Sequence, residues 1–156
     1  MNKDIILTKP VFEALIAHLI HTEESSEGLA EFYYPDSPED REDMKEFFTQ
    51  YINAIERELE NVKVIKSLQE ACGTDQVNHF PFVIIGSEIV LESVSGKEVR
   101  TVALIPPDSH LGVKNGVTYL SAQGRALLMR KTGSRVDISE SAEPQLYRIK
   151  AVRLFA

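Results

Sequence analysis

The first part of the chain carries apolar residues at helical spacing. Steps of three and four residues place three of them on one face of an α-helix: Phe12, Leu15 and Leu19. Thr8, before this run, is suited to the N-cap, and Pro10 lies in the first turn, where its missing N–H costs no hydrogen bond. The pattern predicts a first helix that begins at Thr8 and either runs to about Tyr33 or frays near residues 23–28, with Pro35 ending it at the latest.

A second helix is predicted directly after Pro35. Ser37 is suited to the N-cap and Pro38 to the first helical position, and the acids that follow favour the positive end of the helix dipole. Its apolar residues recur at steps of four and three, the spacing of a coiled-coil seam: Phe48, Ile52, Ile55, Leu59 and Val62. The pattern predicts a helix from Ser37 to Lys66, about 45 Å long.

The two apolar seams coincide when the chain turns tightly at Pro35 and Asp36. Residues whose numbers sum to about 71 then face each other, so that Leu19 meets Ile52 and the other seam positions also match. This agreement predicts an antiparallel α-helical coiled-coil hairpin. The alternative is two separate helices in a globular bundle.

After residue 80 the pattern changes to short strands rich in β-branched residues. Strands are predicted at 82–85, 88–91, 99–105, 117–120, 136–138 and 147–155. Ser121 is suited to cap a helix that ends near Gly133. Residues 71–80 are polar and contain Gly73, as expected of a linker. The fold class is therefore α+β, with a hairpin at residues 1–70, a linker at 71–80 and an α+β domain at 81–156.

Charge differs between the two halves of this 156-residue chain. Residues 1–78 carry a net charge of −10, and residues 79–156 carry +3. The acidic balance argues against a general DNA-binding surface, which needs clustered cations. No apolar run approaches the ~20 residues of a transmembrane helix. Cys72, the one cysteine, excludes a disulfide framework and favours a reducing, cytoplasmic location.

The strongest candidate for chemistry is a cluster of acids centred on the predicted turn. Residues 23–46 hold ten Asp/Glu against only two cations, Arg41 and Lys45. A solvated helix start explains part of this cluster, but not the acid in the turn, Asp36. Exposed carboxylates suit a shared Mg²⁺ ion, which prefers one or two carboxylates together with waters and phosphates. His18 and His21 lie three apart, and without a third ligand packing is their simpler interpretation.

Four segments of the second half carry a resemblance to a known family. They read NGVTYLSAQGRALL at 115–128, TGSRV at 132–136, GSEIVLE at 86–92 and LIPPD at 104–108. Together they resemble the C-terminal domain of the GreA/GreB family of bacterial transcription elongation factors. The resemblance implies an FKBP-like fold for residues 81–156 and an N-terminal antiparallel coiled coil, which agrees with the seam pattern.

The resemblance also implies site residues. The family's tip acids help to hold the second catalytic Mg²⁺ of RNA polymerase, and the sequence Asp36-Ser37-Pro38-Glu39 matches their Asp-x-x-Glu pattern. Asp36 and Glu39 are thus the implied metal-holding acids, with Glu42 as support. The implied polymerase-docking segment comprises Leu120, Ser121, Ala122 and Arg125, with alanine where the family usually has proline.

Three functions follow as hypotheses. The first is an elongation factor that binds RNA polymerase through its secondary channel and stimulates cleavage of backtracked RNA, without being an enzyme or holding a cofactor of its own. The second is a channel regulator that does not promote cleavage, since comparison with the family makes each arm about five or six residues shorter, or roughly 8–9 Å. The third is an acidic protein-interaction arm that does not act on polymerase.

The implied partners are bacterial RNA polymerase and, indirectly, the 3′ end of the nascent RNA. The basic residues around the second-domain helix allow weak contact with DNA or RNA, although their position also suits the negative end of the helix dipole. No membrane and no small-molecule substrate are expected.

Overall fold

The computed structural model describes residues 5–67, 76–105, 116–119, 121–137 and 146–155. The elements are, in order, β1 (Ile5–Thr8), α1 (Lys9–Tyr33), α2 (Pro38–Leu59), β2 (Val62–Ile65), β3 (Ser87–Ser93), β4 (Val99–Ile105), β5 (Gly116–Thr118), α3 (Ala122–Leu127), β6 (Arg135–Asp137) and β7 (Leu146–Leu154). The mixed α+β class is confirmed. The chain divides into two compact units, Met1–Val77 and Asn78–Phe155.

Both helix starts of the first unit agree with the sequence analysis. α1 begins after Thr8 and runs without interruption to Tyr33. At the start of α2, the Ser37 hydroxyl accepts a hydrogen bond from the Asp40 N–H (3.4 Å), and Pro38 occupies the first helical position. These signals lie within a few residues of each helix start, so they favour a helix beginning there independently of what the helices pack against.

The two helices run antiparallel. His18 of α1 is hydrogen-bonded to Tyr51 of α2, and near the other end Glu27 lies 3.9 Å from Lys45. The buried side chains of the two helices are Val11, Leu15, Leu19, Thr22 and Ala30 on α1, and Met44, Phe48, Tyr51 and Ile55 on α2. Four predicted seam positions are only half-buried: Phe12, Ile52, Leu59 and Val62. Val11 is buried instead of Phe12, and Tyr51 instead of Ile52. The coiled-coil packing itself stays a prediction.

The second helix is shorter than predicted. It ends at Leu59, after 22 residues, and Val62–Ile65 forms strand β2 instead of continuing to Lys66. β2 pairs in parallel with β1, so that Ile5 lies opposite Val62 and Thr8 opposite Ile65. The β-branched residues of β2 favour this pairing, which a helix to Lys66 would remove.

The second unit is built on a five-stranded sheet with the order β5-β4-β3-β7-β6. β3 pairs antiparallel with β4 and β7, whereas β4 and β5 are parallel. One face of the central strands supplies fully buried side chains, among them Ile89, Leu91, Leu104 and Ile149. The predicted strands at 88–91, 99–105 and 147–155 are confirmed to within two residues at each end. The FKBP-like assignment of this unit stays a prediction.

Two predictions in the second unit are wrong. Residues 82–85 are buried but form no regular strand, and α3 ends at Leu127 instead of near Gly133. Both differences have one cause, because the chain after α3 bonds to Val83: the Met129 N–H donates to the Val83 carbonyl (2.8 Å), and the Val83 N–H to the Arg130 carbonyl (2.9 Å). The helix stops at Leu128, whose backbone is extended (φ −58°, ψ 130°), and Met129 then adopts a left-handed φ of 66°.

Several predictions fall outside the described residues. They concern Cys72 and most of the linker, residues 106–108 of the LIPPD segment, and the docking residue Leu120. Within the described residues, neither long helix has an apolar stretch sufficient to span a bilayer.

His18 lies in a polar contact between the helices. Its Nε2 is 2.8 Å from the hydroxyl of fully buried Tyr51, and the Thr22 hydroxyl donates to the His18 carbonyl at 2.7 Å. Burial, with a smaller effect from the charge of His21, lowers the pKa of His18 from 6.5 to about 4. The structure thus supports packing as the role of this histidine.

The depressed pKa predicts that the first unit loses stability between about pH 6.5 and pH 4. In this range the unfolded chain binds a proton at His18 that the folded chain excludes. The free energy of unfolding therefore decreases as the pH is lowered from 6.5 to 4, by up to about 3 kcal/mol. Urea unfolding of wild type and His18→Gln between pH 4.5 and 7.5 measures the effect. We expect the two proteins to differ in slope; equal slopes would contradict the assignment.

Candidate functional site

The predicted metal-holding acids lie at the junction of α1 and α2. We call residues 31–42 the tip. Asp36 is in the turn and Glu39 in the first turn of α2, and both side chains are exposed. Within the described residues, neither carboxylate has a hydrogen bond or an ion pair. Both are therefore available to an external ligand.

Glu42 differs from these two acids. Its carboxylate lies 3.6 Å from the Lys45 ammonium, which is also 3.9 Å from Glu27 on α1. Lys45 thus links the two helices and offsets part of the charge of Glu42. This arrangement fits the supporting role expected of Glu42 better than a direct one.

The tip turn is held by a side chain that the sequence analysis did not single out. The Arg41 guanidinium donates from Nη1 to the Tyr34 carbonyl (2.9 Å) and to the Pro35 carbonyl (2.7 Å). Carbonyls after a helix C-terminus lack partners in the helix and carry its negative dipole, so a cation is stabilising there. Arg41 therefore holds the turn in which Asp36 lies. The sequence did offer one indication of this role, since Arg41 is a single cation between four acids at 39–43.

A second missed residue is Phe32, which is 75% exposed near the end of α1. Its ring packs edge-to-face on Tyr33, with 5.1 Å between the centroids. The tip therefore presents an aromatic surface as well as acids. The seam pattern could not reveal this, because Phe32 lies off the seam.

The tip does not form a complete metal site by itself. Among the described residues, no three His, Cys, Asp or Glu side chains come together as metal ligands. Two free, exposed carboxylates nevertheless fit Mg²⁺, a hard cation that takes oxygen ligands and commonly keeps several waters. The tip can supply part of a coordination shell, and other groups must supply the remainder.

The described part of the predicted docking segment lies at the start of α3. The Ser121 hydroxyl donates to the Thr118 carbonyl (2.7 Å) and accepts from the Gly124 N–H (3.0 Å), as an N-cap does. Ala122 and Arg125 are exposed. The structure thus gives Ser121 a structural role, and leaves Ala122 and Arg125 as surface residues.

Gly124 allows α3 to pack closely on the turn that follows β5. A Cβ atom at this position would overlap the Thr118 carbonyl oxygen and lie 2.9 Å from the Tyr119 Cα. Only glycine permits this approach without backbone movement. The close contact fixes the surface on which Ala122 and Arg125 lie.

Comparison with known proteins gives a sequence relative among the transcription elongation factors. The chain is 36% identical over 56 residues to the transcription elongation factor GreA of Desulfovibrio desulfuricans. The resemblance to the GreA/GreB family is confirmed. The aligned stretch spans about a third of each protein, 36% of this chain and 35% of the GreA relative. No family model matches the chain.

Solved structures of GreA/GreB-type factors align over nearly the whole chain, at low identity. Thermus aquaticus Gfh1 is 19% identical, covers 97% of this chain and 99% of its own, and gives a TM-score of 0.42. GreA/GreB from Nitrosomonas europaea is 18% identical, covers 96% and 99%, and gives a TM-score of 0.43.

Proposed function

We propose that this protein is a transcription elongation factor that binds RNA polymerase through its secondary channel and stimulates cleavage of backtracked RNA. The observation that carries the proposal is the pair of free carboxylates at the tip, Asp36 and Glu39, in a chain that resembles GreA. Their exposure at the junction of two antiparallel helices suits insertion into a partner's cavity.

The proposed roles follow from the contacts at the tip. Asp36 and Glu39 would hold a Mg²⁺ ion shared with the polymerase, which supplies the remaining ligands. When bound, this ion supplies charge stabilisation and an activated water for phosphodiester hydrolysis. Arg41 is a positioning residue that holds the turn, and Lys45 moderates the charge of Glu42. The chain itself is then not an enzyme.

Docking on polymerase is proposed for the start of α3, through Ala122 and Arg125. Both side chains are exposed, and Ser121 and Gly124 fix the backbone beneath them. The nascent RNA would be reached only indirectly, through the polymerase active site.

One observation favours a second candidate, a channel regulator that does not promote cleavage. α2 ends at Leu59, so its 22 residues extend only about 33 Å. Because α2 is shorter than the predicted second helix, it would carry the acids less far into the channel. They would then occupy the channel without reaching the catalytic ion.

A backtracked elongation complex tests the proposal. We expect the purified chain, added with Mg²⁺, to shorten the RNA by a few nucleotides and to bind core polymerase in a pull-down. Binding without shortened RNA would support the second candidate. If the chain does not bind core polymerase, both candidates are contradicted. The remaining hypothesis is then the acidic protein-interaction arm that does not act on polymerase.

A further inference from the structure

One corner of the sheet in the second unit exposes a group of apolar side chains. Val94 is 45% exposed, Val99 59% and Leu146 47%, which makes three of the seven exposed large hydrophobic residues in the described part of the chain. Single exposed apolar residues are ordinary, whereas adjacent ones indicate an interaction surface. Val94 and Leu146 are direct neighbours, since the Val94 N–H donates to the Leu146 carbonyl at 3.1 Å.

Strand pairing places two arginines beside this apolar group. Glu92 lies opposite Val99 on β4 and opposite Arg148 on β7, and Arg148 lies opposite Arg135 on β6. These four residues therefore form one row across the sheet. The row is on the solvent face, because the neighbouring strand position Leu91 points into the core.

The arginine pair is electrostatically unfavourable by itself. Like charges directly opposite on neighbouring strands are destabilising. Arg135 and Arg148 are both exposed, and neither has an ion pair within the described residues. The acids beside the pair are Glu92, which is paired with Lys150 at 3.3 Å, and Asp137, which lies opposite Leu146 and has a partner of its own. An acidic group from outside would relieve the repulsion between the two guanidinium groups.

We call Val94, Val99, Leu146, Arg135 and Arg148 the sheet corner. Its composition, apolar side chains beside arginines, is that of protein–protein interfaces, where Arg is enriched and Lys depleted. Its partner should present an apolar group surrounded by carboxylates.

The same chain carries such a surface at its tip. Phe32 is the most exposed large hydrophobic residue of the described chain, and Glu31 and Asp36, on either side of it in sequence, are exposed acids. The tip and the sheet corner are therefore complementary in both charge and polarity.

We propose that the tip of one copy of this chain docks on the sheet corner of a second copy. Phe32 packs against Leu146 and its neighbours, and the tip acids face Arg135 and Arg148. The contact is small and exposed to salt, so the association is weak, with a Kd on the order of tens of micromolar. It involves no polymerase and does not depend on the proposed function.

Analytical ultracentrifugation of the full chain, from about 1 to 300 µM, tests the proposal. We expect concentration-dependent association that weakens at least about fivefold between 0.05 and 0.5 M salt. Leu146→Ser and Phe32→Ser should each weaken it about tenfold, whereas Val64→Ser, a change at another exposed apolar residue, should leave it unchanged.

Charge reversal gives a sharper test. The double variant Arg135→Glu, Arg148→Glu should be monomeric, as should the double variant Glu31→Lys, Asp36→Lys. A mixture of the two should associate again, because each tip then faces a sheet corner of opposite charge. Arg57→Glu, at an exposed arginine of α2, is the matched control. Circular dichroism melting confirms that each variant is folded.

Three outcomes would overturn the proposal. The first is a monomer at all concentrations. The second is association that both charge-reversed variants retain, and the third is association lost in both variants that mixing does not restore.

Discussion

Replacing Asp36 with asparagine is expected to lower Mg²⁺-dependent transcript cleavage at least about tenfold while polymerase binding is retained. Asp36 is exposed in the tip turn and has no hydrogen bond or ion pair within the described residues. The substitution therefore removes the charge to which we assign a metal-holding role, without disturbing the fold. Gel analysis of RNA from backtracked complexes, together with a binding assay, separates the two effects.

The matched control is Asp43→Asn. Asp43 is an exposed acid of α2, so this variant loses the same charge at a position to which no metal-holding role is assigned. We expect it to support cleavage at close to the wild-type rate. Equal loss in both variants would mean that net charge, and not the position of Asp36, is what matters. Full activity of Asp36→Asn would contradict the proposed role.

The largest effect on stability is expected for Gly124→Ala. Its Cβ would overlap the Thr118 carbonyl oxygen, which is backbone and cannot rotate away. The helix and the turn before it must then separate, at a cost of about 3 kcal/mol. Denaturant unfolding followed by circular dichroism measures the loss.

Gly28→Ala is the matched control for Gly124→Ala. Gly28 lies within α1, and its Cβ would have open space around it. Alanine there should stabilise the protein by about 0.5–1 kcal/mol, because glycine is unfavourable inside a helix. A Gly124→Ala variant within about 0.5 kcal/mol of wild type would contradict the close packing of α3.

The helix starts were predictable because their signals are local. Ser37 and Pro38 specify the beginning of α2 within a few residues of sequence. The end of α2 was not predictable, since Val62 continues the apolar spacing of a helix. The helix ends because the residues after it pair with β1: Val62 lies opposite Ile5, which is 57 positions away in the sequence.

The candidate site was predictable in place but not in detail. The sequence placed the acids around Asp36 between two successive helices, and the structure has them at the junction of α1 and α2. The sequence could not separate the free carboxylates from Glu42, because the position of Lys45 between two helices is a three-dimensional property. In the same way, the choice of Tyr51 over Ile52 for burial accompanies a hydrogen bond to His18 across the hairpin.

The parallel pairing of β1 and β2 has a mechanical consequence. The chain enters this two-stranded sheet at Ile5 and leaves it at Ile65, at opposite ends of two strands that run side by side. A pull between these two points acts along the strands, so that their hydrogen bonds are loaded together and not one after another. Both helices lie in the segment between these strands. Tension along the chain is therefore borne by β1 and β2 in shear before it reaches the helical contact.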